Sequence, residues 1–399
     1  MSPPDRGADA APRGAGSAPE LTVASLSTQC WGAEESLLTL LRHAPVRARV
    51  VAPEGELLER ARSQGHEVLV LDDPVVLRLG EIGVGVGAPQ VPPLLARAAA
   101  RLARRPIWNG GTVVSFSMWL HPPLAAAGRL RRRPVALDLH DGPFSRAGAA
   151  LQAQAAFLAT RSVAVSRTAL GHVRRWPQRR TTVVPRPVEL PGDLPAPHRG
   201  PPGEDAPAAG LRAVLVGRLD PEKRVEVALE AQRRALAAGT RIDLDVVGAP
   251  LRGSGDLEDL RRAWPDARFH GRQQHGATLR LVAAADVLVS TATGEAFGRT
   301  VVEAALLGVP SVVMGGGPAD LVADGRTGFL TRGDDAAALA ERFLVLAGQR
   351  ERVREVGASA RTELGRLCDP GRVARRWTAA VAGAPAGAGG RAGEGSAQP

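Results

Sequence analysis

The 399-residue chain has one lysine among 51 basic residues, two cysteines, no tyrosine and only 3% aromatic residues. Each scarcity excludes something. Cys30 and Cys368 are too few and too far apart to build a disulfide framework or a metal site on their own, so a reducing cytoplasm is the expected compartment. No run of about 18 uncharged apolar residues occurs, so no membrane-spanning helix is expected. The amino-terminal stretch carries Asp5, Asp9 and several prolines and glycines before any apolar run, which is the pattern of neither a signal peptide nor a transit peptide. Aromatic residues suited to base stacking are sparse, Trp108, Trp176 and a few phenylalanines among them, and no recognition motif accompanies the basic runs, so nucleic acid is not the expected partner.

What is present is 44% hydrophobic content and a net charge of +10. That length and content suit two domains, each with its own core. The charge is unevenly placed: residues 21–190 carry 22 arginines against 12 acids, which equals the whole excess. Arg97, Arg101, Arg104 and Arg105 fall on one face of an expected helix, opposite Leu94, Leu95, Ala98 and Leu102, and Arg129, Arg131, Arg132 and Arg133 follow. This is compatible with an anionic acceptor or with peripheral contact at an anionic inner membrane face. It is equally compatible with a solvated face in an arginine-biased composition.

Short apolar runs alternate with helical stretches, the pattern of parallel sheets covered by helices. Strands are expected at 21–25, 48–52, 67–71, 113–116, 135–139, 162–165 and 182–184, then at 213–216, 244–247, 268–270, 287–290, 311–314 and 328–330. The reading is α/β, two doubly wound Rossmann-like domains facing across a cleft, at residues 21–190 and 211–366. A proline-rich linker at 191–210 joins them, a terminal helix at 367–382 follows, and tails at 1–20 and 383–399 are expected to be disordered. Ligands in such sheets bind beyond the carboxyl ends of the strands.

The single lysine, Lys223, lies in Gly217-Arg218-Leu219-Asp220-Pro221-Glu222-Lys223-Arg224, after an expected strand. Asp220 reads as an N-cap and Pro221 as the first helical residue, placing Lys223 in the first turn of a helix. A cation there opposes the helix dipole unless an anion sits beside it. Lysine is a thin-stemmed point charge, suited to one phosphate oxygen already crowded by other ligands. The alternative is a solvated surface lysine. A second segment, Gly294-Glu295-Ala296-Phe297-Gly298-Arg299-Thr300-Val301-Val302-Glu303, lies between a strand and a helix. Its amides at Phe297, Gly298 and Arg299 are the free donors of a helix start, and Glu295 and Glu303 could accept from sugar and ribose hydroxyls. The alternative here is a glutamate favouring the helix dipole and a second one facing solvent.

Together the 217–224 segment, Gly271 after a strand, the E-x7-E spacing of Glu295 and Glu303, the run Ala305-Leu306-Leu307-Gly308-Val309-Pro310 and Asp324-Gly325-Arg326-Thr327-Gly328-Phe329-Leu330 resemble glycosyltransferase family 4, the retaining GT-B enzymes. The resemblance spans roughly residues 21–382 and is denser in the second half. It implies a GT-B fold, a UDP- or GDP-sugar as co-substrate bound by the second domain, an unidentified acceptor bound by the first, a terminal helix crossing back, and no cofactor or metal ion. It also implies roles. Arg218 and Lys223, beside Gly217, would hold the donor diphosphate, Glu303 the ribose and Glu295 the sugar ring, with Phe297, Gly298, Arg299 and Gly271 contributing donor contacts. Trp31-Gly32-Ala33-Glu34-Glu35 looks like the family's glycine-rich loop near the reaction centre, and His140-Asp141 like its histidine contact to the transferred sugar.

The chain departs from that pattern in three places. Pro185-Arg186-Pro187-Val188-Glu189 stands where the family has a Pro-Asn-Gly-Val-Asp run, Trp31 replaces a second glycine, and Ala296 replaces a common glycine. Asp243-Leu244-Asp245 mimics a metal-binding D-x-D but reads as a strand edge. Gly83-Val84-Gly85-Val86-Gly87 lacks the strand-turn-helix context of a dinucleotide loop, and Gly315-Gly316-Gly317 reads as a loop over the sugar. Two other readings stay open on the same fold: a nucleotide-sugar 2-epimerase-like enzyme, and a non-catalytic binding protein with a degenerate transferase body.

Overall fold

A computed structural model describes residues 20–82, 85–141, 146–171, 181–192, 210–250 and 257–383. Most of the expected linker and both expected tails lie outside these residues, as do Gly83, Val84 and Trp176. Among the described residues the strands form two all-parallel sheets. The first has the order β3-β2-β1-β4-β5-β6-β7, from β1 (Leu21–Ala24), β2 (Ala48–Ala52), β3 (Glu67–Val70), β4 (Thr112–Ser115), β5 (Val135–Leu139), β6 (Arg161–Ala164) and β7 (Thr181–Val183). The second has the order β10-β9-β8-β11-β12-β13, from β8 (Leu211–Val216), β9 (Ile242–Val247), β10 (Arg268–Gly271), β11 (Val287–Ser290), β12 (Ser311–Val313) and β13 (Phe329–Leu330). These are the doubly wound domains expected from the apolar runs, with strand limits differing by one or two residues.

The apolar runs form strands because both faces of a parallel sheet are covered, so alternation gives way to continuous burial. β1, β4, β5 and β11 are buried at every position. In each sheet the strand order reverses beside the first strand, between β1 and β4 and between β8 and β11. A crevice opens beyond the strand ends at such a reversal, and that is where these sheets bind ligands. In the first sheet, Ser25 and Ser117 mark it, their hydroxyls 3.2 Å apart.

The final helix, Pro370–Ala382, is capped by Asp369, whose carboxylate accepts from the Arg372 amide at 2.8 Å. It packs against the helix Gly32–His43 and against β6 of the first sheet. Val373, Ala374, Trp377 and Val381 sit in the same apolar cluster as Leu37, Leu41, Phe116 and Ala136. The chain therefore crosses to the second sheet and returns to bury an indole in the first.

One helical expectation needs correction. The basic helix ends at Leu102, so Arg104 and Arg105 lie beyond it and do not share its face. Arg105 pairs with Asp72 at 2.8 Å and Asp73 at 3.4 Å. Asp243 and Asp245 lie within β9, where Asp245 is bound by Arg268 and His270, at 2.8 and 2.7 Å.

Replacing the fully buried Trp377 by alanine should destabilise the first domain by about 3–5 kcal/mol, through lost burial and the cavity left behind. Leu130, 73% exposed, is the control, and its replacement by alanine should stay within about 0.5 kcal/mol. Thermal unfolding followed by circular dichroism checks both.

Candidate functional site

The lysine segment starts where β8 ends. Lys223 donates its amide to the Asp220 carbonyl, and Arg224 donates to Pro221, a tight 3₁₀ turn over Pro221–Lys223. Arg224 then adopts a left-handed conformation, φ 51°, and the α-helix begins only at Val225. Lys223 is therefore not in the first turn of that helix, as its sequence suggested. It closes a separate turn, and the argument from an opposed helix dipole does not apply. The Thr291 hydroxyl, just past the end of β11, donates to the Lys223 carbonyl at 2.5 Å. This fixes the turn at the reversal point of the second sheet. The Lys223 stem runs across Gly217, where a Cβ would lie 3.7 Å from Cδ and Cε.

At its tip, Lys223 Nζ donates to Glu295 Oε2 at 2.9 Å. Each side chain is about a quarter exposed, 23% and 24%. Two residues 72 positions apart, both singled out from sequence, thus form one charge pair at the cleft. Arg218 turns to Asp220 instead, with Nε 3.1 Å from Oδ2, and remains half exposed.

Glu295 is held by a constrained turn. Gly298 has φ 95°, and a Cβ there would meet Pro318 at 2.8 Å. Gly317 donates its amide to the Glu295 carbonyl at 2.7 Å, and a Cβ on it would lie 2.0 Å from the Ala296 oxygen. The Gly315-Gly316-Gly317 run therefore makes a close backbone-to-backbone contact at the start of the short helix Gly316–Asp320. From the first domain, the Ser166 hydroxyl donates to the Ala296 carbonyl at 2.5 Å. The Phe297 ring is buried in the core, so only its backbone faces outward chemistry.

The helix Arg299–Leu306 carries Glu303, which is buried rather than solvated. Its Oε1 accepts from Arg299 Nε at 2.9 Å and pairs with His275 Nε2 at 3.1 Å. Burial would raise this carboxyl, but the His275 bond and the Arg299 charge outweigh it and hold the group below the usual carboxylate range. The Glu303 bond raises His275 in turn. Arg299 also reaches the first domain, donating from Nη1 to the Ser36 hydroxyl at 3.2 Å. Ser36 itself donates to the Gly32 carbonyl, and Gly32 faces the Arg299 stem. Beside this contact, the Arg272 guanidinium lies 5.7 Å from the half-exposed Trp31 ring. Arg272 directly follows Gly271, whose φ of 67° turns the chain at the end of β10. Glu34 accepts from the Trp31 amide at 3.1 Å and so closes the start of its own helix, and Ala33 lies against the first core.

His140, just past β5, has Nδ1 3.1 Å from Asp138 Oδ1 and Nε2 3.5 Å from Asp141 Oδ2. Its ring stacks on Phe116 with centroids 4.1 Å apart. Burial works against its charge, but Asp141 and Asp138 together raise it above the ordinary histidine value. Asp138 is fully buried and forms a bidentate pair with Arg186, itself 3% exposed. Trp377 Nε1 donates to Asp138 Oδ2 at 2.8 Å. Burial opposes the Asp138 charge, but Arg186 and His140 keep the carboxyl well below the usual range. The sequence did carry a signal for this pair. Asp138 interrupts the apolar run Val135–Leu139, Arg186 interrupts Val183–Val188, and a buried charge requires an opposite one. His275 and Ser36 gave no such signal, since neither breaks a pattern.

Residues 210–349 match the family model described as Glycosyl transferases group 1. A GDP-mannose-dependent alpha-mannosyltransferase of Mycolicibacterium smegmatis is 39% identical over 117 residues, 29% of each chain. A D-inositol 3-phosphate glycosyltransferase of Nocardia farcinica is 31% identical over 163 residues, 37% of this chain and 35% of that one. The chain thus spans about a third of the length of these curated relatives. Among solved structures, Anabaena HepE in complex with UDP and glucose superposes with a TM-score of 0.67 at 22% identity, covering 90% of this chain and 98% of that one. The lipopolysaccharide outer core galactosyltransferase WaaB superposes with a TM-score of 0.61 at 13% identity, covering 87% and 98%.

The Glu303–His275 pair has a readable pH dependence. Glu303 is depressed, so its contribution to stability is present above about pH 4.3 and is lost as pH falls through its folded value; His275 is raised, so its contribution is present below about pH 6.5 and is lost as pH rises through its folded value. In Glu303→Gln the His275 pKa should fall toward 6.5, as followed by NMR titration of the ring. An unchanged titration would mean the pair does not form.

Proposed function

We propose, from the match of residues 210–349 to the group 1 glycosyltransferases and from the GT-B fold, that the chain moves a hexose-type sugar from a nucleoside-diphosphate sugar to an acceptor, with retention at the anomeric carbon. The observation that carries this reading is the Lys223–Glu295 pair, set by Thr291 at the reversal point of the second sheet. A strand-end cation beside a carboxylate is what a donor needs: the ammonium for a phosphate oxygen and the carboxylate for the hydroxyls of the adjoining sugar.

In such a transfer the bond from the anomeric carbon to the diphosphate breaks as the acceptor oxygen approaches the same face. Positive charge grows on the ring while negative charge grows on the departing diphosphate. Lys223 and the half-exposed Arg218 meet the growing negative charge, and Glu295, exchanging its lysine for sugar hydroxyls, positions the ring. Glu303 is preset to accept from ribose: one oxygen is already occupied by Arg299 and His275, and its charge is maintained by both. Two fixed cations at the leaving group supply the compensation that a divalent ion would otherwise give, which supports transfer without a metal. The arginine excess of residues 21–190 supports an anionic acceptor, with peripheral contact at an anionic membrane face as its source. No described helix is long and apolar enough to cross a membrane.

A thermal-shift screen of UDP- and GDP-sugars should find at least one that stabilises the protein, and release of its nucleoside diphosphate should persist in excess EDTA. Lys223→Ala should lower turnover about 10²–10³-fold, the scale for losing one preorganised donor. Lys223→Arg keeps the charge but not the thin stem over Gly217, and should also turn over more slowly than wild type. Wild-type turnover in Lys223→Arg would remove the lysine from the donor site.

A further inference from the structure

The Asp138 carboxylate receives four contacts from protein groups. His140 Nδ1 and Arg186 Nη2 meet Oδ1; Arg186 Nη1 and Trp377 Nε1 meet Oδ2. These come from three separate parts of the chain: the end of β5, the 185–188 segment leading away from the first sheet, and the terminal helix. The Arg186 guanidinium also lies over the Phe116 ring at 5.4 Å, on which the His140 ring is stacked. Every group touching the imidazole on its core side is thus fixed by another buried contact.

We propose that Asp138, clamped by Arg186 and Trp377, is a positioning residue that holds His140 in the Nδ1–H form and turns Nε2 toward Asp141 and the cleft. The geometry requires this tautomer. A carboxylate bonded to a guanidinium and an indole is an acceptor only, so the nitrogen facing it must carry the proton. In its neutral form His140 then has its lone pair on Nε2, where a sugar hydroxyl can donate to it; in its charged form Nε2–H faces the half-exposed Asp141. The charged or titratable groups around the ring are Asp138, Asp141, Arg186 and His121. His121, bonded through Nδ1 to the Ser115 hydroxyl at 2.8 Å, is pushed down to about 3 by burial and by His140, and so stays neutral. It does not compete for Asp138.

Arg186 therefore has a purpose in a segment where the sequence departs from its relatives' pattern. It neutralises Asp138, and Asp138 needs neutralising because β5 is buried at every position. The Trp377 bond extends the clamp to the helix Pro370–Ala382, so an element far along the chain helps to set a ring at the reaction centre.

The role of His140 at the transferred sugar rests on the transferase reading, but its tautomer can be measured with no sugar present. In the wild-type protein, long-range ¹H–¹⁵N correlation spectra of the His140 ring above its pKa should show the proton on Nδ1. Free imidazole side chains favour Nε2–H, so finding that form would overturn the proposal. Asp138→Asn alone leaves Arg186 buried and unpaired and can unfold; the double variant Asp138→Leu with Arg186→Met removes both charges and every acceptor from position 138. In it the proton should move to Nε2, with kcat lower by about 10- to 100-fold, the scale seen when the partner orienting a metal-bound histidine is removed. Trp377→Phe should keep the Nδ1–H form while broadening the ring signals. A double variant that retains the Nδ1–H form, whether or not kcat falls, would show that Asp138 serves packing alone and would overturn the proposal. Failure of every sugar donor with the expected tautomer present would instead count against the transferase reading only.

Discussion

An ionised carboxylate taken out of water must find donors for its lone pairs, and the first domain is organised around satisfying one. Asp138 sits in the middle of the first sheet, at a position without solvent exposure. The cost of burying such a charge is several kcal/mol unless it is paired and bonded. Arg186 supplies the opposite charge, Trp377 a neutral donor and His140 a third partner. That arrangement dictates the path of the 185–188 segment, the seat of the terminal helix and the direction of the histidine at the end of β5. Removing one partner would leave a buried charge uncompensated, so the three elements depend on each other.

The second domain handles charge differently. Its cations are partly exposed and hold two carboxylates in pairs: Lys223 with the part-exposed Glu295, and Arg299 and His275 with the buried Glu303. The Lys223–Glu295 pair keeps both side chains in place without a ligand and can exchange partners when an anion arrives, because neither member is sealed from solvent as Asp138 is. Arg299 belongs to both arrangements. It steadies Glu303 from its own helix and reaches Ser36 across the cleft, so the carboxylate expected at the ribose is mechanically linked to the Gly32 loop of the first domain.

Much of this could be read in the sequence, and the limits have physical causes. The strands were legible because a parallel sheet covered on both faces produces short continuous apolar runs. Lys223 and Glu295 were legible as residues, the first by its rarity and the second by its spacing to Glu303. Their mutual bond was not, since nothing local relates positions 72 apart. The helix start after Asp220 was misread because a non-glycine residue, Arg224, breaks it in a left-handed conformation that its side chain does not announce. The glycines at 315–317 are legible as a loop, whereas their close approach to the Glu295–Ala296 backbone needs the fold to bring the two segments together. Arg186 stood out only as a departure, and its meaning required the fold to place it against Asp138.

The central claim is that a nucleoside-diphosphate sugar is broken at its anomeric carbon on the Lys223 side of the cleft, with the same face exposed to the incoming oxygen. Slow hydrolysis of an α-configured donor in the absence of acceptor, followed by ¹H NMR as it proceeds, tests it most directly. The account predicts release of the nucleoside diphosphate together with the α anomer of the free sugar before mutarotation sets in. The β anomer appearing first would contradict it.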